Sequence, residues 1–294
     1  MWAVRGGGGS TWGLITSLTL KTHPLPRGGY IGFQIGAVGD FCTGQKDFLT
    51  IIEAYLAWTL PLSSKWGGYA IFTPYPTTGR PCELEWAIEI AYVYQGGDDS
   101  AVDTWQALVS SIPKAVESAS GYAHYEHLWD MIKDEKVEAI IPVPYLAPSD
   151  SYAGAIPSVL LSRETVESGA LLGLIEKQVA KCTPVHCETW EFSQDLTGNI
   201  NSPQDSEVSV SPGMRSALLH LMVGASAQDT PLYYALGPYS YFSESAYEME
   251  DWKERYWGRK NYRRLEKIKR EFDEDNVFWC RHCVGDQMDL NTTH

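Results

Sequence analysis

The sequence has no apolar run approaching the roughly 20 residues that a membrane-spanning helix requires. It also has no basic block, and its formal net charge is -14. Nucleic acid and anionic membranes are therefore not expected as partners, because both would repel the chain at long range. The first residues hold four consecutive glycines where a signal peptide would have an apolar core, so the sequence leaves the compartment open.

The six cysteines are too few for a disulfide scaffold, and the sequence does not fix their pairing. Cys280 and Cys283 have the spacing of a thioredoxin active site, but that motif opens a helix after a strand, whereas this pair follows a helix. One such pair, even with His282, is weak support for zinc, so no metal is expected. The sequence also lacks the GxGxxG, phosphate-loop and GxSxG motifs.

The hydrophobic content of 44% and aromatic content of 12% are typical of a folded globular chain. Strict alternation from Glu83 to Tyr94 predicts a long strand with one apolar face and one acidic face. Further strands are expected over 14–22, 30–35, 69–73, 187–192 and 219–223. The Glu83, Glu85 and Glu89 face is interpreted mainly as the solvated side of an antiparallel sheet, with a carboxylate cluster as the alternative.

Apolar residues at helical spacing predict helices over 48–59, 102–112, 125–133 and 160–180. Arg163, within the last of these, is interpreted as structural. At the C-terminal end the pattern is amphipathic, and Gly258 predicts two helices with a bend between them. Strands mixed with helices in this order predict an α+β fold, with an antiparallel sheet covered by helices.

Two long motifs at the ends of the chain carry a resemblance to a known family. Residues 256–285 read YWGRKNYRRLEKIKREFDEDNVFWCRHCVG, and residues 2–26 read WAVRGGGGSTWGLITSLTLKTHPLP. The first resembles the C-terminal signature of the berberine-bridge-enzyme-like flavoproteins, within the vanillyl-alcohol-oxidase superfamily and in the style of its fungal members. The second resembles the segment that closes their FAD domain.

The resemblance implies an incomplete FAD-linked oxidoreductase of secondary metabolism that oxidises an alcohol, an amine or an activated C–H bond. It implies a remnant of the PCMH-type FAD-binding domain over residues 1–27, a substrate domain over 28–245, and a segment returning to the FAD domain over 246–294. The family's His and Cys attachment residues for FAD do not occur here. The family is often secreted, and its complete members contain a FAD-binding half that precedes the region matched by this chain.

The same resemblance implies residues on the cofactor side. They are Gly7, Gly8, Gly9, Trp12, Gly13 and Asn261. A glycine loop presents unobstructed backbone N–H groups, and an asparagine amide offers a donor and an acceptor to the imide edge of a flavin. The alternatives are a flexible loop for the glycines and an ordinary helix cap for Asn261.

The segment GPYSYFSESAY resembles the family's YxNE element, which enters the substrate pocket. Tyr241 is the expected base, Glu244 its alternate and Tyr239 a further candidate, because oxidation of an alcohol requires a group that takes the hydroxyl proton. Ser243 replaces the usual asparagine, so the hydrogen bonds there must differ. The alternative interpretation is that both tyrosines are packing residues.

Two other functions stay open at this point. A flavin-independent isomerase or cyclase could use the same pocket, and the chain could be an inactive remnant. The expected partners are a small-molecule substrate together with a second copy of the chain or a FAD-binding half, because one wall for a large planar cofactor would leave apolar surface uncovered.

Overall fold

The fold is built on a seven-stranded antiparallel sheet of order β4-β1-β3-β2-β6-β7-β5. The structure is a computed structural model and describes residues 1–22, 27–75, 85–97, 99–113, 117–134, 156–183, 187–194, 208–244, 246 and 249–286. The strands are β1 (Arg27–Asp40), β2 (Trp66–Tyr75), β3 (Glu85–Gln95), β4 (Glu117–His127), β5 (Ser158–Ser162), β6 (Trp190–Ser193) and β7 (Ala217–Val223). The expected α+β class with an antiparallel sheet is confirmed.

Helices lie between the strands and after them. They are α1 (Gln45–Thr59), α2 (Ser100–Ser111), α3 (Leu128–Ile132), α4 (Arg163–Glu167), α5 (Ala170–Val179), α6 (Thr230–Tyr234) and α7 (Trp252–Phe272). A 3-10 turn at Pro212–Arg215 leads into β7. None of the helices that the structure describes is long and apolar enough to cross a bilayer.

The main core lies on one face of the sheet. A row of facing residues crosses five strands there, and every member is at most 1% exposed: Ile90, Ala70, Phe192, Leu221 and Val159. Helices α1, α2 and α5 pack on this face, for example through aromatic contacts of α1 with β2, β3 and β6. Apolar and polar residues alternate along β3, and the strand predicted from this alternation is present. The pattern is informative because neighbouring side chains of a strand point to opposite faces of the sheet.

A second core joins the two ends of the chain. Ala3 packs with the buried aromatic residues of α7 and with Val284, forming a separate cluster. Trp257 donates from its indole nitrogen to the Gly6 carbonyl at 2.9 Å, and the Thr11 hydroxyl donates to the Val284 carbonyl at 2.7 Å. The N-terminal loop is therefore held against the C-terminal segment, although more than 200 residues separate them in sequence.

Two of the expected helices are wrong in part. Residues 117–127 form edge strand β4, paired with β1, so only the short α3 remains of the helix expected over 125–133. Residues 158–162 form β5, and the helix expected over 160–180 starts only at Arg163 and breaks at Gly169, whose φ is +74°. In both places an unpaired edge of the sheet accepts a strand, and this tertiary pairing overrides the local pattern.

The strand expected over 14–22 is also wrong, because these residues have no strand partner among the described residues and are exposed throughout. Their alternation is real, but a strand needs a neighbour for its backbone hydrogen bonds. The bend in α7 is confirmed: Gly258 has φ +71° and ψ +150°, which are not helical values.

Candidate active site

The glycine-rich loop forms a compact turn rather than a flexible tether. The Gly7 amide donates to the Ala3 carbonyl at 2.8 Å, and the Trp12 indole donates back to the Gly7 carbonyl at 3.2 Å. A β-carbon on Gly7 would lie 2.4 Å from the Ala3 carbonyl oxygen and 2.9 Å from Leu265 Cδ2, so no larger residue fits. The loop is thus a shaped part of the second core.

A buried lysine fixes the far side of this loop. Lys269 of α7 is fully buried and donates to the carbonyls of Thr11 and Phe278 at 2.7 and 2.6 Å. Its ammonium group also pairs with the Asp273 carboxylate at 2.5 Å. Three acceptors satisfy the three ammonium hydrogens, so the buried charge is fully compensated.

One cavity of about 650 Å³ lies between the glycine loop and the segment that contains Tyr241. Gly8, Gly9, Trp12, Gly13 and Tyr241 all line it. A β-carbon on Gly9 or Gly13 would meet no atom within 4 Å, so backbone borders open space at both positions. A planar ring system can approach backbone closely there, and the volume lies in the range of cofactor sites, so these residues fit a flavin edge.

Asn261 and Tyr239 line a second cavity, of about 780 Å³. Val210 and Trp257 line both cavities and stand between them. The Asn261 side-chain amide donates to the Val210 carbonyl at 3.0 Å. One of its hydrogen bonds is therefore used to hold Val210, which separates the two cavities. The six cofactor-side candidates are therefore neighbours, yet they do not share one cavity, and Gly7 lines neither.

Tyr241 rests on the sheet through its backbone and its ring. Its amide donates to the Ser158 hydroxyl of β5 at 3.0 Å. Its ring meets the imidazole of His220 edge to face, with centroids 5.7 Å apart and an interplanar angle of 89°. Two separate contacts therefore hold the expected base against β5 and β7.

Glu244 lies on the other side of this histidine. Its Oε2 is 3.1 Å from His220 Nε2, and the side chains are 31% and 9% exposed, respectively. Burial and then the negative charge of Glu191 raise the pKa of Glu244 to about 7, whereas burial lowers the pKa of His220 to about 4. A carboxyl that titrates near neutral pH can accept or release a proton under ordinary conditions.

An acidic row continues from this pair across the same face of the sheet. Glu191 of β6 and Glu89 of β3 both face Ile71 of β2. Glu89 is half-buried and accepts a hydrogen bond from the Tyr69 hydroxyl, and burial raises the pKa of Glu89. The interpretation of this face as solvated holds for exposed Glu85 but is wrong for Glu89, and Glu83 lies outside the described residues.

Sequence reasoning missed His220. It lies within the strand expected over 219–223, and no residue pattern around it distinguishes a site histidine from a core one. The sequence feature that could have identified His220 is its place as the one polar residue in the run ALLHLMV. Burying a polar group is costly unless it is paired, so such a residue indicates a nearby polar partner. Arg163 forms an exposed ion pair with Glu167 at 3.7 Å, and its structural interpretation stays a prediction.

The cysteine sulfurs are engaged with each other. Cys182 pairs with Cys187 and Cys280 pairs with Cys283, while Cys42 is also disulfide-bonded. Within the ranges that the structure describes, no group of three or more His, Cys, Asp or Glu residues could hold a metal ion.

Comparison with known proteins gives the chain its relatives. The family described as "Berberine and berberine like" matches residues 240–285. The FAD-linked oxidoreductase notD of an Aspergillus species is 25% identical over 97% of this chain and 47% of its own length. The FAD-linked oxidoreductase patO of Penicillium expansum is 26% identical over 97% of this chain and 50% of its own length. The chain thus spans about half the length of these curated relatives.

Solved structures share the fold. A VAO-type flavoprotein from Myceliophthora thermophila superposes with a TM-score of 0.68 at 19% identity, over 91% of this chain and 50% of that chain. A chitooligosaccharide oxidase superposes with a TM-score of 0.61 at 15% identity, over 96% of this chain and 60% of that chain. The resemblance drawn from the terminal motifs is confirmed: the chain shares the fold of about half of a VAO-type flavoprotein, and residues 240–285 match the berberine and berberine-like family.

Proposed function

We propose that this chain is part of a FAD-linked oxidoreductase that oxidises an alcohol, an amine or an activated C–H bond of a small molecule. The observation that carries this proposal is the first cavity. Tyr241 and the N-terminal glycine loop both line it. A proton acceptor and a backbone cradle for a planar ring thus border the same space. The named FAD-linked relatives support the same reaction class.

FAD, when bound, supplies the acceptor for the hydride that leaves the substrate. The residues proposed to hold it are Gly8, Gly9, Trp12 and Gly13 at the first cavity. Gly7 shapes the loop by accepting the Trp12 hydrogen bond. Asn261 is bonded to Val210, which lies between the two cavities, and is proposed to contribute to FAD binding from there. Covalent attachment is not proposed for these residues.

Tyr241, in its deprotonated form, is proposed to take the substrate's hydroxyl or amine proton and become a neutral phenol, with the Glu244 carboxylate as the alternate acceptor. Glu244 suits this role because its pKa of about 7 lets it exchange a proton near neutral pH. Tyr239 lines the second cavity, so it is the weaker of the two tyrosine candidates for contact with a substrate beside the glycine loop. Ser243 lines the first cavity and offers a hydroxyl where the family has an amide.

The domain boundaries form part of the proposal. Residues 1–27 and 246–294 are assigned to the FAD-binding side because both contribute to the second core. Residues 28–245 are assigned to the substrate side because they contain all seven strands except Arg27, the first residue of β1. We propose that a FAD-binding half, or failing that a second copy of the chain, covers the open side of the first cavity.

The first experiment is flavin retention. Purified chain mixed with FAD and passed through gel filtration is expected to keep a perturbed flavin absorbance spectrum. Substituting Gly9→Leu, which fills the open space beside the loop, should abolish retention, while Gly173→Ala in α5 should not. Loss of all flavin from the unsubstituted chain would contradict cofactor binding by these residues.

The second experiment measures flavin reduction by substrate under anaerobic conditions, with a panel of alcohols and amines. Tyr241→Phe is expected to slow reduction roughly 100- to 10,000-fold, the usual contribution of a positioned base. Tyr122→Phe, on exposed β4, is the matched control and should leave the rate unchanged. An unchanged rate in Tyr241→Phe would transfer the role to Glu244, which Glu244→Gln tests directly.

A flavin-independent isomerase or cyclase is the second candidate, favoured by one observation. The His220–Glu244 pair places two ionisable side chains in contact, and such a pair can exchange a proton with a substrate by itself. Turnover without flavin or oxygen, lost in Glu244→Gln, would support this candidate. Activity that strictly follows flavin content would exclude it.

A further inference from the structure

His220 is a buried polar residue in the most buried strand of the sheet. Every residue of β7 is buried, and the other members of ALLHLMV are apolar. In the sheet register His220 faces Leu160 of β5 on one side and Ser193 of β6 on the other. An imidazole in such a place loses hydration, so its polar atoms require partners.

The side chains around the imidazole are the two proton-carrying candidates of the proposed site. Nε2 lies 3.1 Å from Glu244 Oε2, and the ring packs edge to face on Tyr241. Neither Nε2 nor Oε2 is exposed, and neither has a hydrogen-bond partner of good geometry among the residues that the structure describes. Their 3.1 Å approach is therefore a close polar contact that is not aligned as a hydrogen bond.

The charges that face the pair favour a shared proton. Glu191, on neighbouring β6, is the carboxylate whose negative charge raises the pKa of Glu244, and beyond it lies the Tyr69–Glu89 pair. No cation pairs with Glu244 among the described residues, apart from the imidazole when it is protonated. Between about pH 4 and about pH 7 the proton belongs on Glu244, whose Oε2 lies 3.1 Å from the neutral Nε2.

We infer that His220 is a positioning residue: its Nε2 holds the Glu244 carboxyl while its ring fixes Tyr241, so that both proton-carrying side chains are oriented by one imidazole. This inference rests on the proposed function for its catalytic meaning, but the contact itself is a property of the chain alone. Ionisation of Glu244 would place a carboxylate against the Nε2 lone pair. The imidazole must then move its proton to Nε2, so His220 should change tautomer as Glu244 loses its proton.

Nitrogen-15 NMR of histidine-labelled chain tests the contact without flavin. Of the seven histidines, His220 is assigned by the signal missing in His220→Gln, and His127→Gln, an exposed site on β4, is the control. We expect His220 to stay neutral over roughly pH 5 to 8, the range where an ordinary histidine titrates. Its signals should nevertheless shift near pH 7, and Glu244→Gln should abolish that shift.

Two NMR results would overturn the positioning role of His220. A His220 signal that titrates like a free imidazole, or a pH response that survives Glu244→Gln, would overturn the inference. Tyrosine-labelled chain gives the second readout: the Tyr241 ring signals should change in His220→Gln and stay unchanged in His127→Gln. Unchanged Tyr241 signals in a folded His220→Gln chain would also count against positioning.

The outcomes separate this inference from the proposed function. If the chain fails to retain FAD but the coupled response of His220 and Glu244 is present, the inference stands and the oxidoreductase proposal fails. If flavin is retained and reduced but His220→Gln alters neither the pH profile nor the rate, the proposal stands and the inference fails. If both hold, His220→Gln should move the ionisation seen in the pH–rate profile to lower pH, because an amide donor stabilises the carboxylate.

Discussion

At the scale of single residues, the site depends on polar groups that are buried and paired. Lys269 and His220 lie where water is largely excluded, whereas the Glu244 side chain is 31% exposed but has its Oε2 3.1 Å from His220. Sequence reasoning identified Tyr241 and Glu244 through a resemblance and missed His220 and Lys269. The reason is physical: a sequence shows that a residue can ionise, but burial and partners decide whether it matters.

Lys269→Met is expected to destabilise the chain by roughly 3 kcal/mol, because Asp273 and two carbonyls would lose a buried cationic donor. Since one of those carbonyls belongs to Thr11, the glycine loop should loosen and flavin retention should fall as well. Urea unfolding followed by tryptophan fluorescence measures the stability change. Lys267→Met, at an exposed position of the same helix, is the control. Equal effects of the two substitutions would contradict a stabilising role for the Lys269 hydrogen bonds.

At the scale of elements, the prediction from sequence succeeded where one face of an element meets the main core. The strand from Glu85 and helices α1 and α2 were located from their apolar periodicity, because each buries a stripe on one side. Strand β4, with the polar sequence ESASGYAHYEH, carries no such stripe. It forms because the edge of β1 offers backbone partners, and that information lies elsewhere in the chain.

The position of the cofactor-side residues shows the same limit. The Gly7, Gly8 and Gly9 loop and Asn261 were expected together on the strength of family motifs. Val210 brings them into one region, because it lies against Gly6, next to the loop, and accepts the Asn261 hydrogen bond. That Val210 and Trp257 divide this region into two cavities could not be predicted, because it depends on how two distant segments pack.

The bend in α7 should depend on Gly258. With φ +71° and ψ +150°, this residue occupies a region that is nearly exclusive to glycine. Gly258→Ala is therefore expected to cost about 1–3 kcal/mol in the free energy of unfolding, although a β-carbon would meet only Pro212 at 3.4 Å.

The matched control is Gly173→Ala in the interior of α5, where a β-carbon would meet nothing within 4 Å. There alanine should stabilise the chain by about 0.4–1 kcal/mol, since it reduces the entropy of the unfolded state. Urea or thermal unfolding of both variants measures the difference. A Gly258→Ala chain as stable as the unsubstituted one would show that α7 straightens without strain.

At the scale of the whole molecule, one surface of the described residues is uncovered. Residues 13–22 run along the outside with four large apolar side chains exposed: Leu14 at 84%, Ile15 at 70%, Leu18 at 72% and Leu20 at 74%. Soluble proteins rarely leave such a contiguous strip uncovered. Its alternating pattern, with Leu14 and Ile15 lining the first cavity, is typical of a strand whose neighbour is not among the described residues.

This strip is expected to make the isolated chain associate. Leu18→Lys combined with Leu20→Lys should raise its solubility limit several-fold and shift it toward the monomer in analytical ultracentrifugation, because the exposed apolar area falls while like charges repel. The melting temperature should stay within about 2 °C, since fully exposed positions contribute little to stability. Tyr122→Lys, at an aromatic site on β4 that is 51% exposed, is the control and should leave association unchanged. If the double variant associates as strongly as the unsubstituted chain, the strip is not the contact surface, and a FAD-binding half would have to cover the first cavity from another side.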